Sequence, residues 1–264
     1  MSLVWLRILQ GIVVLVLVEW AFMPAASAQV ACPGNYGGHL QGVATDQEAI
    51  YWSFTVQLVK TDMDGKVLKV VDAPSHQGDL TCHDGKLYVA VNRGQFNKEP
   101  GKADSWVYVY DSADLSLLSK HEVQEAVHGA GGMAYCKGHF FVIGGLPGNY
   151  EENYVYEYDP DFTFIKRHVI KSGQTKLGIQ TACYADGQWW FGCYGDPREL
   201  LKTDEAFGML GNYIEDWSIG IVGLANGTFL RGSTAPVKGT KRWTGAVAVA
   251  QPGTTKNCLS ETKK

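Results

Sequence analysis

The 264-residue sequence has no C-x-x-C pair, no cluster of basic residues and, beyond its first 28 residues, no apolar run long enough to cross a bilayer. The first absence argues against a structural zinc site, whose cysteines are usually paired at such spacing. The second removes the electrostatic footprint of a nucleic-acid binder. The third excludes a second membrane span. Charged residues are also sparse at 19%, so the fold has to be read from apolar and aromatic patterning.

At the N-terminus Arg7 precedes the apolar run Ile8 to Val18, and Ala26-Ser27-Ala28 follows as a small-residue cleavage site. This reads as a secretory signal over residues 1–28, cut before Gln29, giving a periplasmic or secreted chain with no membrane anchor. Glu19 interrupts the pattern, and an uncleaved anchor is the alternative. Cleavage deletes one Arg and one Glu, so the net charge stays at −4. All six cysteines follow that point, and an even count in an exported chain permits disulfides. Cys32 and Cys258 lie near the two mature ends, where a bridge would tie the termini together. Asn226-Gly227-Thr228 is a glycosylation sequon that coincides with a turn.

What the sequence has in plenty is 31 Gly, 8 Trp and 13 Tyr. Gly for turns and aromatics for strands point to an all-β protein. The stretches ATDQEAIYWSF, CHDGKLYVAV, CKGHFFVIG, ADGQWWFGC and ANGTFLRG share one plan. A strand reaches a tight turn, and a second strand rich in aromatic and β-branched residues follows, the strongest short hairpin signal. Two more strands, separated by an Asp-containing turn, complete most units. The units begin near His39, His76, His128, Leu177 and Trp217, at spacings of 37, 52, 49 and 40 residues. Four strands at such a period predict a five-bladed β-propeller of four-stranded antiparallel blades, in one domain over residues 29–264. The fifth unit lacks a clear fourth strand. The segment Val30 to Asn35 can supply it, which would leave no long open sheet edge. A two-sheet sandwich is the alternative, but it does not explain the fivefold recurrence.

The repeat gives the polar residues a place. In a propeller the first strand of each blade lines the central channel. The start of that strand and the loop between the second and third strands share one face. His39, His76 and His128 begin three successive units, and Gln41 and Gln180 match each other two residues further in. The long loops Asn92 to Asp104 and Gly144 to Asn153, and the short Tyr194-Gly195-Asp196-Pro197-Arg198, open on the same face. That face is therefore the expected site. Trp52, Tyr88, Trp189 and Trp190 read as packing between blades, with Tyr194 as an exposed platform for a sugar or planar ligand. His83, His121, His139 and His168 read as solvated surface.

Three convergent imidazoles would suit a divalent metal such as Zn, Mn, Fe or Ca, with His39, His76 and His128 as ligands. Asp79, the one acid at a well-defined unit start, would act with His76 as base and acid or complete the metal shell. Gln41, Gln180, Tyr194 and Arg198 would bind substrate. The expected function is that of a lyase or hydrolase acting on a carbohydrate or small polar molecule. Non-catalytic glycan or protein binding is a second reading, and structural bridging between blades is a third.

Gln41-Gly42-Val43 at the start of the first unit and Gln77-Gly78-Asp79-Leu80 at the start of the second resemble the five-bladed glutaminyl cyclases. That family has Gln-Gly-apolar at the first position and an acidic Gly-Glu-Gly-apolar stretch at the second. Here the acid is displaced and shortened to Asp79, and Ala130-Gly131-Gly132 lacks the family's third-unit Trp. The resemblance implies five blades and acyl transfer at an N-terminal glutamine.

Overall fold

The computed structural model describes residues 29–224 and 227–253. The leader expected over residues 1–28, Cys258 and the sequon residue Asn226 lie outside the described residues. The chain first lays down β1 (Val30–Gly37). Blade one follows as β2 (Leu40–Thr45), β3 (Ala49–Phe54), β4 (Gln57–Asp62) and β5 (Val67–Asp72). Blade two is β6 (Gln77–His83), β7 (Lys86–Asn92), β8 (Ser105–Asp111) and β9 (Leu117–Glu122). Blade three is β10 (Ala130–Cys136), β11 (His139–Gly144), β12 (Asn153–Tyr158) and β13 (Phe164–Ile170). Blade four is β14 (Lys176–Ala185), β15 (Gln188–Tyr194), β16 (Glu199–Thr203) and β17 (Met209–Tyr213). The last strands are β18 (Ile221–Gly223), β19 (Phe229–Pro236) and β20 (Arg242–Ala250).

Hydrogen bonding sorts these into five four-stranded sheets. Their innermost strands β2, β6, β10, β14 and β18 touch in cyclic order, with β18 returning to β2. The fold is the five-bladed propeller that the repeat predicts. Blade five is completed by β1, the first of the described strands. β1 pairs antiparallel with β20 from Val30 opposite Val247 to Gly37 opposite Arg242. Tyr36 of β1 then stacks on Phe54 of blade one, ring centroids 4.3 Å apart. Cys32, on the same strand, is a buried thiol that burial pushes up to about 12. Among the described residues ring closure therefore rests on strand pairing and packing.

The blades stick together because each strand alternates its side chains between two neighbours. Tyr88 and Ala90 face Phe140 and Val142 of blade three. Leu87, Val89 and Val91 point the other way, to Tyr51 and Leu58 of blade one. Trp52, Tyr88, Trp189 and Trp190 are all buried in such interfaces, as their sequence positions suggest. The turns before the outer strands also share a cause. Asp62, Asp111, Asp159 and Asp204 each accept a backbone N–H from two to four residues onward, the local bonding that makes Asp a turn residue.

At the axis the inner strands run close together. A Cβ on Gly42 would stand 2.1 Å from Asp79 Oδ1, and one on Gly78 would stand 2.0 Å from the Gly131 carbonyl oxygen. Only glycine allows that approach. The Gln41-Gly42 pair therefore places a glutamine at the mouth and narrows the channel beneath it, whereas Gln77 of the matching pair is buried against Tyr110 and Ser53.

Candidate functional site

The starts of the inner strands and the loops over residues 93–104 and 195–198 enclose a two-lobed hollow at one mouth of the channel. One lobe, of about 310 Å³, is floored by Gly78, Gly131 and Gln180 and walled by Gln41, His76, Asn92 and Phe96. The other, of about 360 Å³, is walled by Lys176, Arg198, Thr234 and Trp243. His39, Leu177 and Tyr194 line both and form the ridge between them. Each lobe sits near the lower end of the usual range for small-ligand sites, roughly 300–1,000 Å³.

The polar groups are held in place. Gln41 Nε2 lies 3.0 Å from His76 Nε2 and 3.4 Å from Thr55 Oγ1. With the amide N–H donating, His76 accepts at Nε2 and carries its proton on Nδ1. Gln180 donates its own amide to the backbone oxygens of Leu177 (2.9 Å) and Gly178 (3.3 Å), so only its carbonyl oxygen is left for a ligand. On the ridge, His39 Nε2 stands 3.2 Å from the Tyr194 hydroxyl. The Arg198 guanidinium lies over the Tyr194 ring, 5.2 Å from its centroid. It is steadied by Asp216 at 3.3 Å and by the Ser218 hydroxyl.

Burial decides the charge states. Desolvation lowers the pKa of both His39 and His76 below 6.5, and the charges of His76 and Arg198 lower His39 further. Both rings are therefore neutral near pH 7. Burial pushes the Tyr194 phenol up to about 12, with Arg198 pulling the other way. The ridge thus pairs an unprotonated base with a protonated acid.

Five of the residues expected at the site meet here: His39, His76, Gln41, Gln180 and Tyr194. Arg198 lines the adjoining lobe. His128 does not join them. It is 3% exposed, its Nδ1 lies 2.8 Å from the Lys98 carbonyl oxygen, and it packs edge-on against Tyr150. The 93–104 loop has captured it to one side of the mouth. Among the described residues no three His, Cys, Asp or Glu side chains come together as a metal site requires. The residues present do not fit the three-histidine centre that their spacing suggests.

Asp79 lies below the floor rather than in the hollow. It is 1% exposed, and its Oδ2 accepts the Ala182 N–H at 3.3 Å from blade four. Its Oδ1 has no hydrogen-bond partner among the described residues. Desolvation outweighs those backbone bonds and raises its pKa well above the ordinary carboxylate range. Burial thus favours the protonated form of Asp79, which plugs the channel one residue beyond the floor residue Gly78.

Two further departures concern the other histidines and the lining. His139 Nδ1 and His168 Nε2 both bond to Glu157, at 2.6 Å and 2.7 Å, in a lateral groove between blades three and four. They are a buried-carboxylate network, not merely solvated surface. Phe96, Asn97, Lys176 and Trp243 line the mouth without a sequence signal of the kind that marked the histidines. Phe96 and Asn97 sit in an aperiodic loop. Trp243 is on the third strand of an atypical blade, and Lys176 begins a strand with two register irregularities.

No protein-family model matches the chain, and no curated protein sequence matches it. Among solved structures, the WD40 repeats of RRP9 are similar with a TM-score of 0.50 and 10% identity, covering 79% of this chain and 78% of that one. A protein of unknown function from Bacteroides caccae gives a TM-score of 0.46 at 15% identity, covering 78% and 82%. The computationally designed Ika4 protein gives 0.40 at 13%, covering 66% and 96%. At such identities a likeness speaks to fold alone, and the RRP9 repeats agree with the propeller architecture.

Proposed function

We propose that the mouth is the active site of a lyase or hydrolase acting on a saccharide-sized polar molecule by general acid–base chemistry without a metal. The observation that carries this reading is the His39–Tyr194 pair, with Nε2 and Oη 3.2 Å apart on the ridge that a ligand filling both lobes must cross. A neutral imidazole is a competent base near pH 7, and a phenol that burial keeps protonated is a competent acid. His76 and Gln41 form a second hydrogen-bonded pair on the wall, suited to orienting a hydroxyl or carbonyl. Asp79 supports the floor from beneath, where burial favours its protonated form. The test is a panel of oligosaccharides incubated with wild type, His39→Gln and Tyr194→Phe, with release of new reducing ends measured. Turnover by wild type that both variants lose supports the reading, and turnover that survives in both contradicts it.

Non-catalytic glycan binding is the second reading, favoured by Phe96 and Trp243, which offer one aromatic ring to each lobe. It predicts saccharide binding that depends on these rings, with no product formed. Acyl transfer of the glutaminyl cyclase kind would need Asp79 to reach the substrate through the floor, and turnover of a peptide with an N-terminal glutamine tests it.

A further inference from the structure

We infer that the molecule bound in this mouth is an acidic saccharide whose carboxylate lies in the Lys176–Arg198 lobe, and that its glycosidic bond is broken by β-elimination beside that carboxylate. The inference rests on the acid–base reading of His39 and Tyr194.

Charge is the first ground. Lys176 and Arg198 line one lobe, and among the described residues no Asp or Glu lines either lobe. Lys176 forms no ion pair among the described residues. Arg198 shares one nitrogen with Asp216, yet its charge still depresses the pKa of His39. A chain with a net charge of −4 thus places two cations at the hollow that holds His39. Carboxylate recognition is what such a pair does. Trp243, whose ring meets His39 edge-on at 5.6 Å, gives the same lobe an aromatic wall of the kind a sugar ring packs on.

The second ground is what the lining lacks for the alternative chemistry. Glycoside hydrolysis of the common kind uses two carboxyl groups facing the scissile bond, roughly 5–10 Å apart. Asp79, next to the lining residue Gly78, is sealed beneath the floor at 1% exposure, and Asp196 and Glu199, next to the lining residues Gly195 and Arg198, do not themselves line either lobe. Elimination needs only a base, an acid and a way to hold charge on a carboxylate, all of which this lining offers.

In that step His39 Nε2 takes the proton from the carbon bearing the carboxylate. The C–H electron pair becomes a C=C bond, and the neighbouring C–O bond to the next sugar breaks. The Tyr194 hydroxyl turns from His39 to the leaving oxygen and gives it a proton. The proton on His39 then returns to Tyr194. No water, oxidant or reductant is consumed. Lys176 and Arg198 stabilise the negative charge that spreads onto the carboxylate. Because base and acid are only 3.2 Å apart, both act from one side of the sugar, and the elimination is syn.

The experiment uses the protein with oligomannuronate and oligoglucuronate, whose C5 hydrogen and C4 oxygen share one face as a syn elimination requires, and with oligomannose and oligoglucose as their neutral counterparts. Binding is followed by calorimetry, and products by ultraviolet absorbance of the unsaturated acid and by mass. The expected result is that at least one uronate binds in preference to its neutral counterpart. Lys176→Gln and Arg198→Gln each weaken that binding by about tenfold or more, the effect of losing one charge-assisted bond. Tyr194→Phe keeps the binding and loses the product, whose mass shows cleavage without added water. Neutral oligomers binding as well as the acidic ones, no binding at all, or binding indifferent to Lys176 would overturn the substrate class. Products carrying an added water would overturn elimination while leaving the acidic substrate and the acid–base site standing. Tight, Lys176-dependent uronate binding with no product would overturn the elimination and the acid–base reading together, and would leave the ligand class.

Discussion

The Tyr194 hydroxyl stands 3.2 Å from His39 Nε2, joining the second strand of blade four to the residue that leads into blade one. Chain segments 155 residues apart meet there because the ring closes between blades five and one. Tyr194 ends β15 where the short 195–198 loop begins, and the loop's last residue, Arg198, covers the same ring.

Removing that hydroxyl separates chemistry from binding. Tyr194→Phe keeps the ring under Arg198 and deletes only the acid. On the reading given above, kcat falls by about 10²–10⁴-fold, the usual worth of a general acid, with ligand affinity nearly kept. Steady-state kinetics set beside calorimetric binding check this. An unchanged kcat speaks against Tyr194 as the acid.

The depressed pKa values of His39 and His76 fix the direction of the acid limb. Both lie below 6.5 in the folded chain, so activity holds as pH falls through 6.5 and drops only at lower pH. Near pH 6.5 the unfolded chain binds more protons at these sites than the folded one. Stability therefore also falls as pH is lowered through that region. Paired pH–rate and pH–denaturation curves show both. An activity midpoint above 7 would contradict the assignment.

Asp79 works in the opposite sense. Its folded pKa is raised above the ordinary 3.8, so the folded state keeps a proton that the unfolded chain has lost. The stability linked to that proton is fully present below pH 3.8 and is lost as pH rises through the folded value. Asp79→Asn removes the titration and is stabilised relative to wild type increasingly as pH rises. Denaturation midpoints at a series of pH values test this. A deficit constant across pH would show that Asp79 acts through packing alone.

Gly42 fails as alanine for a stated reason. The added Cβ would stand 2.1 Å from Asp79 Oδ1 and 2.5 Å from Asp79 Cα, and the backbone cannot step aside at the axis. Overpacking of this kind costs about 1–3 kcal/mol. A Gly42→Ala variant as stable as wild type would mean that the inner strands have more freedom than their close approach implies.

How much of this was legible in the sequence follows from what a repeat encodes. Turn residues and alternating apolar strands are local, so the hairpins around Asp84-Gly85, Lys137-Gly138 and Asp186-Gly187 mark the blades correctly. The closing role of the Val30 segment is also legible, because a four-stranded plan with one strand missing needs a donor. Equivalent places in a repeat fix where a backbone goes but not where a side chain turns. His39 and His76 point into the hollow, whereas His128, at the matching position, is drawn to the Lys98 carbonyl by a loop with no counterpart in blade one. Asp79 was legible as unusual. Its raised pKa was not, because the burial behind it follows from glycines on two neighbouring blades, Gly42 and Gly132, closing around it. Trp243 and Lys176 complete the basic lobe only through tertiary contact.

A histidine NMR titration, with His39→Gln to assign its resonance, tests the central claim most directly, since the whole site turns on an unprotonated ring beside Tyr194. The account predicts that His39 titrates below 6.5 in the folded protein. It also predicts that Tyr194→Phe alters the His39 resonance, because the contact is direct. A His39 that titrates above 7, or one indifferent to Tyr194→Phe, would contradict it.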